Sequence, residues 1–375
     1  MKIGIITHYL HFGYGGVMQN YALQTVLKRL GHEPKTFRVD TVKNIGVLWN
    51  LRSWLVRILH SLRGIDSGIT RKQDMYISKE VEKFISSHIS CTSLVRSNND
   101  FRKATEFEEF DALIAGSDQI WRGNYDYVSN CFFDFAQGLN VKRIAYAASF
   151  GVDDWRFNEN DTLKYKRLLK EFNGISVREN SGIELCSKYL GRNDVEWVLD
   201  PTLLLNKEDY ISLIEDANEP KREGSLFMYI LDKTPQKEAI INELSDKLGL
   251  SRFECMPKYS SSYDNVKKYG NECVYPPITT WLRSFMDAEM VITDSFHGTV
   301  FSIIFNKPFF VLINKERGAT RFISLLSLFD LEDRVIDSVS DASTYEKEID
   351  WYSVNSRIND LQNYSINFLR RSLNS

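Results

Sequence analysis

The chain has 375 residues, more than one ordinary hydrophobic core absorbs, so two domains are expected. An apolar content of 43% with 26% charged residues excludes a disordered chain, and a net charge of −3 excludes a global field that draws the protein to nucleic acid or anionic membrane. Any basic site is therefore local. The five cysteines, Cys91, Cys131, Cys186, Cys255 and Cys273, are odd in number and form no CxxC pair. They fit neither a disulfide framework nor a thiolate metal site and read as buried small hydrophobes in a reducing compartment. The N-terminal apolar run is too short for a signal peptide, and the best membrane candidate, Thr299 to Ile313, is broken by Asn306, Lys307 and Pro308. A soluble cytoplasmic protein is expected.

In chain order, Lys2 to Thr7 reads as a strand and His11 to Gly16 as a glycine-bearing loop. A helix follows from about Met18 to Leu30, with Leu23, Val26, Leu27 and Leu30 on one face and Gly31 as its stop. Glu33 to Val39 is the next strand, and this βαβ opening predicts a parallel sheet with ligands at the carboxyl ends of its strands. Short buried strands recur at Asp111 to Ala115, Arg143 to Ala147, Gly174 to Val177 and Val195 to Leu199. A second block runs strand Ser225 to Leu231, helix Pro235 to Leu248, strand Phe253 to Met256, helix Thr279 to Met286 and strand Met290 to Ile292. It ends with a helix to Phe305, strand Phe309 to Ile313 and a C-terminal helix. The fold class is thus α/β, two Rossmann-like domains facing across a cleft. The boundary falls near residue 205, giving domains 1–205 and 206–375, with a helical insertion over about 43–90 in the first.

Four strand ends carry polar residues of chemical interest. Gly15 and its neighbours can let backbone amides approach an anion at a helix start, although a glycine turn also serves plain chain reversal. Ser117, Asp118 and Gln119 place hydroxyl, carboxylate and amide together, able to bind sugar hydroxyls, supply a base or cap a helix. Arg178 can fork onto a carboxylate or phosphate, or pair with a nearby acid. The sharpest signal is Asp294 to Thr299, where Ser295 and His297 stand in a strand-to-helix elbow at the positive end of a helix. His8 and His11 are second-tier candidates. Lys315, Arg317 and Arg321 put three cations in seven residues beyond the next strand.

These stretches, in this order, carry a resemblance. Tyr14-Gly15 with Gln19, Gly116 to Trp121, Tyr146 to Gly151 (with Ser149), Ser176 to Glu179, Leu199 to Thr202, Thr293 to Gly298, and Arg317-Gly318 with Arg321 together resemble the polysaccharide pyruvyl transferase family. Gly13 and Asn20 depart from the family's pattern. The resemblance implies a GT-B-like pair of domains, phosphoenolpyruvate as co-substrate and donor, and a glycan diol as acceptor, a hexose such as galactose in a surface polysaccharide or lipid-linked precursor. It implies that Arg178, Ser295, Phe296 through its backbone, and His297 hold the donor, with Gly298 beside them. On chemical grounds His297 is the candidate general acid and Asp118 the candidate base. Nothing groups His, Cys, Asp and Glu at ligand spacing, so neither metal nor cofactor is expected.

The stretch Lys43 to Arg63 holds Trp49, Trp54 and several leucines with basic residues and no acid. It reads either as a core helix with snorkelling arginines or as an interfacial helix, which would place the protein peripherally at the inner face of the membrane beside a lipid-linked acceptor. Two other functions share the architecture: a nucleotide-sugar glycosyltransferase and a non-catalytic glycan-assembly subunit.

Overall fold

The computed structural model describes residues 1–40, 69–123, 127–313, 319–338 and 347–375. Lys43 to Arg63, Lys315 and Arg317 lie outside the described residues.

The first sheet has seven strands: β1 (Lys2–Ile6), β2 (Glu33–Val39), β3 (Cys91–Val95), β4 (Ala112–Ala115), β5 (Lys142–Ala148), β6 (Gly174–Val177) and β7 (Glu196–Trp197). Their spatial order is β3-β2-β1-β4-β5-β6-β7, with every pairing parallel. Central strands such as β4, Ala-Leu-Ile-Ala, are buried along their whole length because helices cover both faces. The second sheet has four strands, β8 (Leu226–Tyr229), β9 (Arg252–Glu254), β10 (Met290–Thr293) and β11 (Phe309–Val311), in the parallel order β11-β10-β8-β9. The expectation of two Rossmann-like sheets holds.

Strand order reverses between β1 and β4 in the first sheet and between β8 and β10 in the second. At such reversals the loops leaving the carboxyl ends diverge and leave a crevice. The loops concerned are residues 7–13 and 116–119 on one side, 230–232 and 294–297 on the other. The two crevices meet.

Several contacts hold the halves together. Tyr14, 1% exposed, packs its ring 5.4 Å from that of Trp281 and donates its hydroxyl to the Pro276 carbonyl at 2.7 Å. Burying a ring of this size contributes about 1.5–3 kcal/mol. The Tyr275 amide donates to the Ile77 carbonyl at 2.9 Å, tying the loop before helix Ile278–Asp287 to helix Arg71–Ile77. The C-terminal helix Trp351–Asn374 runs back to the first sheet rather than staying with the second: Ser365 accepts from the Leu199 amide at 3.1 Å and Lys142 reaches the Leu373 carbonyl at 2.7 Å.

Helix Tyr14–Arg29 begins four residues before the expected Met18, because Gly15 and Gly16 lie in its first turn. Strand β3 escaped the sequence reading. Its burial alternates irregularly at the sheet edge, so no clean apolar period marks it. Among the described residues no helix is long and apolar enough to cross a membrane. All five cysteines are free, with Cys91 partly exposed and the rest buried.

Candidate active site

A cavity of about 410 Å³ opens where the two crevices meet. Its lining joins Phe12 to Gly16, Asp118 and Gln119 from the first half with Tyr229, Leu231, Met256, Tyr275, Asp294 to His297, Arg321 and Phe322 from the second.

Three helices begin at this cavity: Tyr14–Arg29, Phe296–Ile304 and Thr320–Ser327. None carries an acid in its own first turn, although the Asp118 carboxylate lies beside Gly16 at the start of the first. Ser295 caps the second helix, accepting from the Gly298 amide at 3.3 Å. No side chain caps the first, whose cap position is Gly13.

His297 stands at the start of helix Phe296–Ile304 and is 8% exposed. Its two ring nitrogens face different surroundings. Nε2 is buried without a hydrogen-bond partner, 3.8 Å from Asp200 Oδ2. Nδ1 lies under Gly15, where a Cβ would sit only 2.1 Å from it. Glycine is therefore required at residue 15 by close approach across the cleft. Burial lowers the His297 pKa below its ordinary value, and the neighbouring Asp200 and Asp118 carboxylates do not outweigh that loss. Burial thus favours the neutral imidazole.

Behind the cavity wall lies a charge cluster. The Arg178 guanidinium, 3% exposed, gives NH1 to Asp200 at 3.0 Å and NH2 to Asp118 at 3.3 Å, with Glu179 3.8 Å from its Nε. The ring of Phe296 covers it at 4.3 Å. Asp200 also accepts from Ser117 Oγ at 2.8 Å and from the Thr202 hydroxyl at 2.6 Å. For Asp118, burial favours the neutral acid, but Arg178 first, then His8 and His297, hold its pKa well below the usual carboxylate range. The same carboxylates raise Arg178 against the cost of its burial. For Glu179, burial prevails and the pKa rises; its Oε1 accepts from the Phe150 amide at 2.7 Å, while Oε2, 3.8 Å from Arg178 Nε, has no hydrogen-bond partner among the described residues.

Asp118 adopts φ +84°, a left-handed conformation that non-glycine residues rarely occupy. Pairing with a shifted β5 holds it there. The β5–β6 register slips between Ala145 and Ala148, and Asp118 bridges to Ala148. Strained backbone of this kind gathers at functional sites.

Arg321 differs from Arg178. It lines the cavity, its buried Nε has no hydrogen-bond partner among the described residues, and burial, followed by repulsion from Arg178, lowers its pKa to about 10.

The structure thus gathers Gly15, Asp118, Gln119, Ser295, Phe296, His297 and Arg321 at one cavity. Arg178 and Ser117 stand behind the wall, occupied by carboxylates. Gln19, Ser149 and Gly298 lie outside the lining. Gln19 bonds the Thr7 hydroxyl at 2.6 Å, and Ser149 accepts from the Gly151 amide at 3.0 Å. At Gly298 a Cβ would meet Thr293 Oγ1 at 2.2 Å, so this glycine serves helix-on-strand packing. His11 pairs with Asp74 at 2.8 Å beside a different cavity. Sequence reasoning passed over Asp200 and Glu179 as site residues, although both stand inside motifs it quoted. It also passed over the lining residues Phe12 and Tyr275, which carry no polar signal. Among the described residues no group of His, Cys, Asp and Glu is placed to hold a metal ion.

A cavity at the facing switch points of two parallel sheets defines the chain as a two-domain α/β protein of GT-B type. Residues 14–316 match the profile of the family described as polysaccharide pyruvyl transferase, and the chain belongs to that family. It is a pyruvyl transferase of polysaccharide synthesis. Similar solved structures include UDP-GlcNAc 2-epimerase from Neisseria meningitidis bound to UDP-GlcNAc, at 11% identity over 98% of this chain and 99% of that one, TM-score 0.53. A ugt transferase from Siraitia grosvenorii in complex with UDP is similar at 10% identity over 100% of both chains, TM-score 0.52. At these identities the likeness is one of fold. No curated protein matches the chain.

Proposed function

We propose that this transferase takes its pyruvyl group from phosphoenolpyruvate and sets it on two hydroxyls of a sugar as a cyclic ketal, releasing phosphate. The observation that carries this reading is the placing of Arg321, whose buried Nε has no hydrogen-bond partner among the described residues, with His297 at a cavity onto which three uncapped or serine-capped helix starts open. A small molecule bearing both a phosphate and a carboxylate suits such a site. Its charges are met by Arg321, His297 and backbone amides, without a metal.

In this mechanism His297 gives its proton to the vinyl methylene carbon of the donor. The adjacent carbon becomes oxocarbenium-like and one sugar hydroxyl adds to it, losing its proton. The carbon–oxygen bond to phosphate breaks, a second hydroxyl closes the ring and loses its proton, and inorganic phosphate leaves. Nε2 faces Asp200, so the transferred proton is assigned to Nδ1 on the Gly15 side. A bound anion would raise the His297 pKa and charge a ring that burial otherwise holds toward its neutral form. Asp118, ionised at neutral pH, is the base assigned to the hydroxyl, while Arg178 keeps the carboxylates behind the wall compensated.

Phosphate release from phosphoenolpyruvate across a panel of hexosides and lipid-linked sugars tests the proposal. Release that requires a sugar and persists in EDTA is expected. Saturation by a UDP-sugar in place of phosphoenolpyruvate would assign the chain to glycosyl transfer.

A further inference from the structure

Asp118 and Gln119 follow β4 at its carboxyl end, and both line the cavity. Asp118 uses one oxygen within the protein: Oδ1 accepts from the Gln119 backbone amide at 2.9 Å and from Arg178 NH2 at 3.3 Å. Its other oxygen, Oδ2, has no hydrogen-bond partner among the described residues. Oδ2 lies beside Gly16, where a Cβ would come to 3.6 Å from it, and Gly16 also lines the cavity. One oxygen of an ionised carboxylate is thus left for a ligand, and it can only accept.

The Gln119 side chain is held in the opposite sense. Arg122 NH1 donates to its Oε1. A guanidinium has no acceptor, so the atom it meets is the amide oxygen, and turning the amide over would set two donors against each other. Gly151 makes room for that oxygen: a Cβ there would sit 2.4 Å from Oε1. The remaining Nε2 carries two N–H donors, has no hydrogen-bond partner among the described residues and keeps access to solvent. Arg122 is not part of the cavity lining, so it reaches a ligand only through Gln119.

Adjacent residues therefore show the cavity an acceptor that cannot donate and a donor that cannot accept. A sugar hydroxyl does both, so two neighbouring hydroxyls fit this edge: one gives its proton to Asp118 Oδ2 while the oxygen of the other receives from Gln119 Nε2. A phosphate or carboxylate fits it badly, because the Asp118 carboxylate repels it.

We propose that Gln119, its amide fixed by Arg122, holds the second hydroxyl of the acceptor pair beside Asp118 and so determines which sugars are taken. Arg122 is its positioning residue. This assignment rests on the reading of the protein as a transferase to a sugar diol with Asp118 as base.

The test separates sugar from donor. Saturation-transfer NMR with methyl galactopyranoside, methyl glucopyranoside and methyl mannopyranoside reads acceptor binding without any donor, and calorimetric titration reads phosphoenolpyruvate. At least one of the glycosides is expected to bind the parent protein. Gln119→Met keeps the chain length and removes the amide. It should weaken that glycoside by about tenfold, a loss of about 1.4 kcal/mol, with phosphoenolpyruvate affinity within about twofold of the parent. Gln119→Glu keeps an oxygen for Arg122 and loses the donor, so a comparable loss is expected from it even if the methionine variant fails to fold. Arg122→Leu frees the amide to turn and should weaken the glycoside by about threefold. Singly deoxygenated forms of the same glycoside locate the contact. The form lacking the hydroxyl that Gln119 holds should bind the parent and Gln119→Met alike, while the other forms still lose affinity in the variant. A parent that binds none of the three glycosides overturns the proposal, as does unchanged glycoside affinity in folded Gln119 variants. An equal loss for every deoxygenated form also overturns it, because Gln119 then shapes the site without holding one hydroxyl. So does a parallel loss of phosphoenolpyruvate and glycoside. Glycoside binding lost as expected in a protein that never binds phosphoenolpyruvate upholds the subsite and removes the donor reading alone.

Discussion

Two arginines approach one cavity from its two sides, and their surroundings set them apart. On the first-sheet side Arg178 is enclosed by Asp118, Asp200 and Glu179 under the ring of Phe296. On the second-sheet side Arg321 lines the cavity beside the Phe322 ring, with a buried Nε that has no hydrogen-bond partner among the described residues. A desolvated cation without a partner is costly, whereas one ringed by carboxylates is already compensated. The difference separates a wall held by its own carboxylates from one whose cation the proposed donor would pair. The proposed donor site lies on the unsatisfied side, so mutations on the two sides should fail differently.

The largest expected effect is on turnover. His297→Gln keeps the size of the ring and one donor but cannot deliver a proton. Turnover should fall by about a hundred- to ten-thousandfold with the fold intact. Recovery at saturating phosphoenolpyruvate would make His297 a binding residue instead.

On the support side the loss should appear in stability. Arg178→Leu leaves Asp118, Asp200 and Glu179 without their shared cation, and chemical denaturation should show a loss of about 3–5 kcal/mol. A well-folded variant with weakened donor binding would place Arg178 among the ligand contacts after all.

Gly15→Ala probes where the two sides touch. Its Cβ would lie 2.1 Å from His297 Nδ1, so ring and helix start must separate. Turnover should drop by about a hundredfold, since displacement by an ångström at a reacting group costs that much. Near-normal turnover would show that Nδ1 does not need this position.

Arg321→Ala should weaken phosphoenolpyruvate binding by about tenfold or more, a loss of about 1.4 kcal/mol, with little change in melting temperature because among the described residues it loses only a contact with the Phe322 ring. Collapse of the fold instead would make the two arginines alike.

The fold was legible because parallel sheets covered on both faces leave short, continuous apolar strands between amphipathic helices. Helix Pro235–Leu248 begins at a proline and stops before Gly249, and both ends were readable. Strand β3 was not, lying at the edge without an apolar period. His297 stood out through its elbow between β10 and a helix. Arg178 was legible as an arginine at a strand end, but its partners were not. Asp118 and Asp200 lie 60 and 22 residues away and reach it only through the packing of β4, β6 and the turn after β7. Asp200 itself entered only as part of the stretch Leu199 to Thr202. Phe12 and Tyr275 belong to opposite halves, and no local pattern brings them together.

The central claim is that an anionic donor completes the unsatisfied side and thereby charges His297. Burial keeps His297 below its ordinary pKa, and an anion bound beside it must raise it. Binding therefore takes up protons near neutrality, and donor affinity weakens as pH rises through the His297 pKa of the complex. Calorimetric titration of phosphoenolpyruvate in two buffers of different ionisation enthalpy measures this uptake directly. The account predicts a net uptake of protons on binding that disappears in His297→Gln. Binding with no proton uptake, or uptake that survives in His297→Gln, would contradict it.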